Sequence, residues 1–329
     1  MKANFKSQVH EERLKLGENI PLATPLVVYV EPSGFCNLKC VFCPHGTDSD
    51  GLKKDIMSFQ TFKKMVDDLS EFEDKISLLR VCGNGDPLMS REIIEMMKYA
   101  KESGSIRRIE LITNGLLLNT NLIENLPQFL DRIVISIEGL SPEDYLKICS
   151  VKMDFQKSLG NLKELYKKRK DCLMHIKIHN EAVKSEDKKE AFFRVFSNYC
   201  DEIYIENLVP LWPQLNTSHS TSKFRWGGGR TTRRQICAQI FKSVQVQADG
   251  EVVPCCVDWK RINVIGNIKE ESLLEIWKGE KLRKLQIRHL SGDKIKTEPC
   301  KDCTTNDYSE VDNIDLFAEQ CIQKINEKI

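Results

Sequence analysis

Cys36, Cys40 and Cys43 stand in the segment EPSGFCNLKCVFCPHG with the spacing C-x3-C-x2-C. Three thiolates on one short loop can wrap a cubane iron–sulfur cluster and leave one iron without a protein ligand. An iron with an open position can bind and activate a second molecule, whereas a full set of four thiolates suits electron transfer. Zinc sites instead complete a tetrahedral set, commonly from C-x2-C pairs, and the nearest further ligand here is His45. A second group lies downstream, with Cys237 and Cys255 flanking Gly250, then Cys300 and Cys303 as C-x2-C. Four thiolates that converge make a closed metal site, and spacing alone separates iron from zinc poorly. Cys256 and Cys321 are rival ligands in that group. Cys82, Cys149, Cys172 and Cys200 fall inside strand or helix patterns and read as small buried hydrophobes.

The elements that must position these residues alternate regularly. Short β-branched runs at 27–31, 77–82, 108–113, 133–138, 174–179 and 202–208 are separated by amphipathic patterns at 58–70, 90–103, 119–126, 141–149 with 155–168, and 185–199. Strand–helix repeats of this kind stack their strands in parallel. Right-handed crossovers then put every strand's C-terminal end on one face, where such folds place their chemistry. The expected fold is α/β, a partial (β/α)6 TIM-like barrel over 25–210 after an N-terminal extension at 1–24. The segment 211–234, rich in Pro, Ser, Thr and Gly, reads as a linker. A small C-terminal α+β iron–sulfur domain is expected at 235–329. It holds a hairpin turning at Asp249-Gly250, a helix near 272–289, the Cys300 loop and a last helix from about 314 to 328.

Composition narrows the function classes. The chain has 329 residues, 41% of them hydrophobic, with 49 Lys and Arg against 48 Asp and Glu. Near-zero net charge gives no field that would draw nucleic acid. The N-terminus lacks the apolar run of a signal peptide and no stretch is long enough to span a bilayer, so a cytoplasmic protein with neither nucleic-acid nor membrane partners is expected. Thirteen cysteines in such a chain point to metal or redox chemistry rather than disulfides.

The first cysteine segment resembles the signature of the radical S-adenosylmethionine (SAM) superfamily, C-x3-C-x-Φ-C, with Phe42 at the aromatic position. The resemblance implies a [4Fe-4S] cluster on Cys36, Cys40 and Cys43, SAM on its open iron, and Phe42 near the adenine. Gly83-Asn84-Gly85-Asp86-Pro87 resembles the family's G-G-E-P segment, which binds the SAM amino group. Thr113-Asn114-Gly115 and Ser136-Ile137-Glu138-Gly139 look like family positions around SAM, with Asn114, Ser136 and Glu138 as contacts. The C-terminal cysteines resemble the twitch module, a shortened SPASM domain, and imply one auxiliary [4Fe-4S] cluster on Cys237, Cys255, Cys300 and Cys303. Ser309 and Asn313 occupy the places where a full SPASM domain continues its cysteines.

By that resemblance, an electron from a donor such as flavodoxin or ferredoxin splits SAM. The resulting 5′-deoxyadenosyl radical takes a hydrogen atom from a substrate C–H bond. The single auxiliary cluster resembles that of aminocyclitol dehydrogenases and implies oxidation of a sugar or cyclitol. The alternatives are a maturase that crosslinks or epimerises a ribosomal peptide, or a non-catalytic iron–sulfur or zinc protein. Candidate substrate contacts are His179, Asn180, Glu206 and Trp212, with His179 and Glu206 as candidates for the catalytic base. Arg225, Arg230, Arg233 and Arg234 form either a phosphate site or a solvated linker.

Overall fold

The β-branched runs of the sequence become the barrel strands, and their apolar residues form the sheet core. The computed structural model describes residues 3–7, 14–212, 215, 223–226, 228–231, 233–308 and 312–327. Its strands are β1 (Asn4–Phe5), β2 (Val27–Val30), β3 (Leu78–Val81), β4 (Ile109–Thr113), β5 (Arg132–Ile137), β6 (Leu173–His179), β7 (Glu202–Glu206), β8 (Ser243–Val246), β9 (Glu251–Val253) and β10 (Gly266–Asn267). Among the described residues they form one sheet in the order β1-β7-β6-β5-β4-β3-β2-β8-β9-β10. β2 to β7 are the expected parallel barrel strands, each paired with its neighbour in sequence.

Helices on the outside follow from their caps and their spacing. α1 (Phe59–Asp68) starts where Ser58 Oγ accepts from the Thr61 amide, and it buries Phe62, Met65 and Val66 on one face. α2 (Ile93–Glu102) buries Ile93, Met96, Met97 and Ala100. Side chains of Asn119, Ser141, Asp154 and Ser185 cap α3 (Thr120–Asn125), α4 (Pro142–Cys149), α5 (Phe155–Lys168) and α6 (Glu186–Phe196). The expected C-terminal helix is two, α7 (Leu273–Lys278) and α8 (Glu280–Leu290), broken at Gly279. The last helix, α9, spans Ala318–Glu327.

Two pairings extend the sheet past the six barrel strands. β1, from the N-terminal extension, lies parallel to β7 through Asn4↔Glu202 and Phe5↔Ile203. β8, the first strand of the C-terminal hairpin, lies parallel to β2 from Val27↔Ser243 to Val30↔Val246. The hairpin thus continues the barrel sheet, and its turn uses Gly250 at φ +91°, a conformation open to glycine. The segment expected as a linker is folded where described, with a bridge between Phe224 and Arg230 and the Arg234 amide donating to Asp307.

The side chains on the inward face of the barrel strands form a charged floor. Arg80 Nε lies 2.7 Å from Glu110, and Arg132 reaches both Glu110 at 3.3 Å and Glu202 at 2.6 Å. His175 completes the row at 3.2 Å from Glu202. Burial of these charges is compensated by their mutual pairing. The site lies at the opposite, C-terminal ends of the strands.

Candidate functional site

The cysteine loop leaves β2 and crosses the end of α4. Two of its amides, those of Lys39 and Val41, donate to the carbonyls of Cys149 and Ile148 at 3.0 and 2.9 Å. They satisfy carbonyls that a helix terminus leaves without partners. Cys36, Cys40, Phe42 and Cys43 pack in one cluster with Leu38, Tyr145 and Cys149. Burial, more than any neighbour, pushes the Cys36 and Cys43 thiols up to about 12, and nearby Glu138 adds to both. Thiols so placed stay protonated unless a cation displaces the protons, which is what a metal cluster does on binding. Cys149, expected as an inert hydrophobe, lies with its Sγ 3.6 Å from Cys40 Sγ. Cys40, Cys149 and Glu138 bring their ligand atoms within 4.8 Å of one another. No local spacing points to Cys149 here, because the contact depends on how α4 docks.

The glycine loop after β3 packs on the cysteine loop. A Cβ on Gly85 would meet the carbonyl oxygens of Ser33 and Phe35 at 2.3 and 2.4 Å, so only glycine fits. A Cβ on Gly83 would meet Glu31 Oε2 at 2.4 Å, and the same oxygen accepts from the Asn84 amide at 2.6 Å. Asp86 is fully engaged by the chain itself. Its carboxylate accepts from the Leu88 amide, the Thr113 hydroxyl and the Asn114 amide, each at 2.9 Å, which ties the β3 loop to the β4 loop. Asn114 Nδ2 in turn donates to Asn37 Oδ1 at 2.8 Å. Asn84 Oδ1, by contrast, is buried with no hydrogen-bond partner.

A cavity of about 200 Å³ opens beside Phe42 and Cys43. Its polar lining comes from Ser136, Glu138, Lys177, His179, Glu206 and Asn207. Trp212 and Trp226 wall it, whereas Asn180 lies outside the lining and accepts the Leu208 amide instead. The His179 ring meets Phe42 edge-on at 5.0 Å. Its Nδ1 accepts the Ala182 amide at 3.2 Å, so the neutral ring carries its proton on Nε2. That nitrogen is 3.4 Å from Glu138 Oε2. Glu206 pairs with Lys177 at 2.8 Å. Of the four arginines, Arg234 is buried, Arg225 half-buried, and Arg230 and Arg233 exposed, so they do not form one uniform surface patch.

Cys237, Cys255, Cys300 and Cys303 lie close enough for their charges to act on one another. Burial pushes the Cys300 thiol up to about 12, with Cys237 and Cys303 adding to it. Burial and then Cys303 raise Cys237, while Cys255 is raised first by its hydrogen bond with Cys256. Of the rivals, Cys256 hydrogen-bonds with Cys255 and also has Arg80 and Tyr29 beside it, so it stays next to the group, whereas Cys321 Sγ lies away from it, against the Gly17 carbonyl at 3.6 Å. Cys82, also expected as a hydrophobe, sits in the charged surroundings of Arg80 and Glu110. Ser309 lies outside the described residues.

Family models match the two halves of this arrangement, the radical SAM superfamily over residues 30–186 and an iron–sulfur cluster-binding domain, SPASM, over 237–304. The chain belongs to the radical SAM superfamily. Among similar proteins, the tungsten-containing aldehyde ferredoxin oxidoreductase cofactor-modifying protein of Pyrococcus furiosus is 24% identical, covering 89% of this chain and 92% of that one. BtrN in complex with AdoMet and 2-DOIA shares the fold with a TM-score of 0.56 at 18% identity, covering 87% of this chain and 97% of BtrN. The anSMEcpe structure with AdoMet and Cp18Cys peptide shares it at 0.57 and 18%, covering 92% and 97%. As a radical SAM enzyme with a SPASM-type domain, the protein uses SAM, a SAM-binding [4Fe-4S] cluster and auxiliary iron–sulfur. The residues present fit those groups, since buried or half-buried thiols occur in a set of three and a set of four, and Glu138 Oε2 and His179 Nε2, 3.4 Å apart, line the cavity beside Phe42 and Cys43. No helix among the described residues is long and apolar enough to cross a membrane.

Proposed function

We propose that this radical SAM enzyme oxidises a sugar or cyclitol by two electrons. In this reading Cys36, Cys40 and Cys43 hold the SAM-binding cluster, and Cys237, Cys255, Cys300 and Cys303 hold one auxiliary cluster. The observation that carries the substrate reading is the polar lining of the cavity beyond the SAM contacts, where Lys177, His179, Glu206 and Asn207 suit several hydroxyls at once. Cleavage of SAM to a hydrogen-abstracting 5′-deoxyadenosyl radical is the chemistry that cluster and cofactor supply when bound.

The chain's own residues do the rest. Phe42, Ser136, Asn84 and Glu138 hold SAM, while the Asp86 carboxylate serves as the tether between the two loops around it. His179, with its proton on Nε2, donates to a ligand oxygen or to Glu138. Glu206, paired with Lys177 at 2.8 Å, is the proton acceptor for the departing hydroxyl proton. Trp212 and Trp226 shield the cavity from water.

Anaerobically reconstituted enzyme, given SAM, a strong reductant and a panel of C-deuterated sugars and cyclitols, tests this. Deuterium in 5′-deoxyadenosine together with a product two hydrogens lighter is expected. A product at the original oxidation level, or turnover with peptides alone, overturns it.

A further inference from the structure

The geometry points to Arg261 as a positioning residue that makes SAM binding depend on the state of the auxiliary cysteine loop. This inference rests on the reading of the Gly83–Asp86 loop as part of the SAM site.

Arg261 belongs to the C-terminal unit, yet its side chain is 1% exposed and reaches the barrel. It lies 3.3 Å from Glu31, itself 0% exposed, and 2.6 Å from Asp249. Glu31 sits just past β2 at the root of the cysteine loop. One of its oxygens faces Arg261, and the other receives the Asn84 amide at 2.6 Å while filling the space beside Gly83. The guanidinium therefore fixes the carboxylate that fixes the glycine loop. An ionised Glu31 without Arg261 would be a buried, uncompensated charge, and it would be driven to turn away or to take up a proton.

The other end of this chain of contacts lies at the auxiliary cysteines. The Asp258 amide donates to the Cys255 carbonyl at 3.2 Å, and the Arg261 amide donates to the Asp258 carbonyl at 3.0 Å. The Asp258 carboxylate accepts the Ile262 and Asn263 amides at 3.0 and 2.8 Å. These bonds hold Arg261 at φ +55°, a left-handed conformation uncommon outside glycine. Asn263 Nδ2 then donates to the Glu298 carbonyl at 2.7 Å, two residues before Cys300. Cys255 and Cys300 thus bracket the turn that presents Arg261. When these cysteines share one metal centre, the turn is closed. When they do not, it has only its own hydrogen bonds to keep the guanidinium on Glu31.

SAM affinity, measured by calorimetry on the reconstituted full chain, tests the coupling. Arg261→Gln should weaken SAM binding about tenfold, within the usual range for coupled sites, while iron content stays that of wild type. Arg261→Lys should recover part of the loss. The Cys300→Ala/Cys303→Ala variant should lose a similar factor, and adding Arg261→Gln to it should cost no more than twofold further. Asn263→Ala, which removes one tie without stranding a charge, should show a smaller loss and serves if Arg261→Gln does not fold. SAM affinity within twofold of wild type in Arg261→Gln or in Asn263→Ala, or losses that multiply in the combined variant, overturns the inference. Wild-type enzyme that retains both clusters but binds no SAM overturns the underlying site reading as well.

Discussion

Cys149 stands beside Cys40 although its surroundings in the sequence do not advertise it, whereas Glu206 lines the cavity as its strand-end position suggests. Cys40 and Cys149 hold their sulfurs 3.6 Å apart, against about 2.05 Å in a disulfide. Air oxidation of cluster-free protein should convert the two thiols to a disulfide, with two electrons and two protons passing to dioxygen to give hydrogen peroxide. Peptide mapping should find the Cys40–Cys149 crosslink, and Cys149→Ala should afterwards take up more iron than wild type; free Cys40 after prolonged exposure would count against this. For Glu206, replacement by Gln should lower turnover by about 10²-fold or more with SAM binding unchanged, as read by steady-state kinetics beside calorimetry. C-x3-C-x2-C was legible because its three ligands are neighbours on one loop. Cys149 and Arg261 were not, since each arrives from a distant element whose docking no local spacing encodes. Asp86 shows the reverse case, a motif position whose carboxylate the structure spends on Thr113 and Asn114.

The elements themselves were read well where a cap and a period agreed. Ser58, Asn119, Ser141, Asp154 and Ser185 open the barrel helices within a residue or two of the expected starts. Two-residue strands such as β1 and β10 carry no period, so only pairing reveals them. The charged floor was also hidden, because alternation shows which residues face inward but not that Arg80, Glu110, Arg132 and Glu202 meet. Arg132→Ala should destabilise the fold by about 3–5 kcal/mol by leaving Glu110 and Glu202 buried without their shared partner, as denaturant titration would show. In α8, burial lowers the His289 pKa to about 4, and neither ring nitrogen has a partner. The folded chain therefore binds fewer protons than the unfolded one between about pH 4 and the ordinary value of 6.5. Stability from this residue is present above pH 6.5 and lost as pH falls toward 4, by up to about 3 kcal/mol. His289→Leu should flatten urea midpoints across that window; an unchanged slope would exclude His289 as the cause.

At the scale of the whole molecule, the sheet joins what the sequence divided. The sequence predicted a barrel, a linker and a separate iron–sulfur unit from a change of pattern near residue 210, but a change of pattern says nothing about which strand edges meet. β8 closes the open edge of β2, and Leu273 and Trp277 of α7 add hydrogen bonds to Asp68 and to the Leu22 carbonyl. A chain ending at residue 234 should accordingly expose β2 as an unpaired edge and aggregate, whereas the full chain stays monodisperse in gel filtration; a well-behaved truncated barrel would show that β8 is dispensable. The β2–β8 pairing also sets an order of events during synthesis. More than two hundred residues separate the two strands, and at about 5–20 residues per second the ribosome needs roughly 10–40 s to deliver the second after the first. For that interval the nascent barrel has a gap in its wall beside the Cys36 loop. Iron and sulfide delivered then would meet an accessible site, and β8, on emerging, would shut the door behind them.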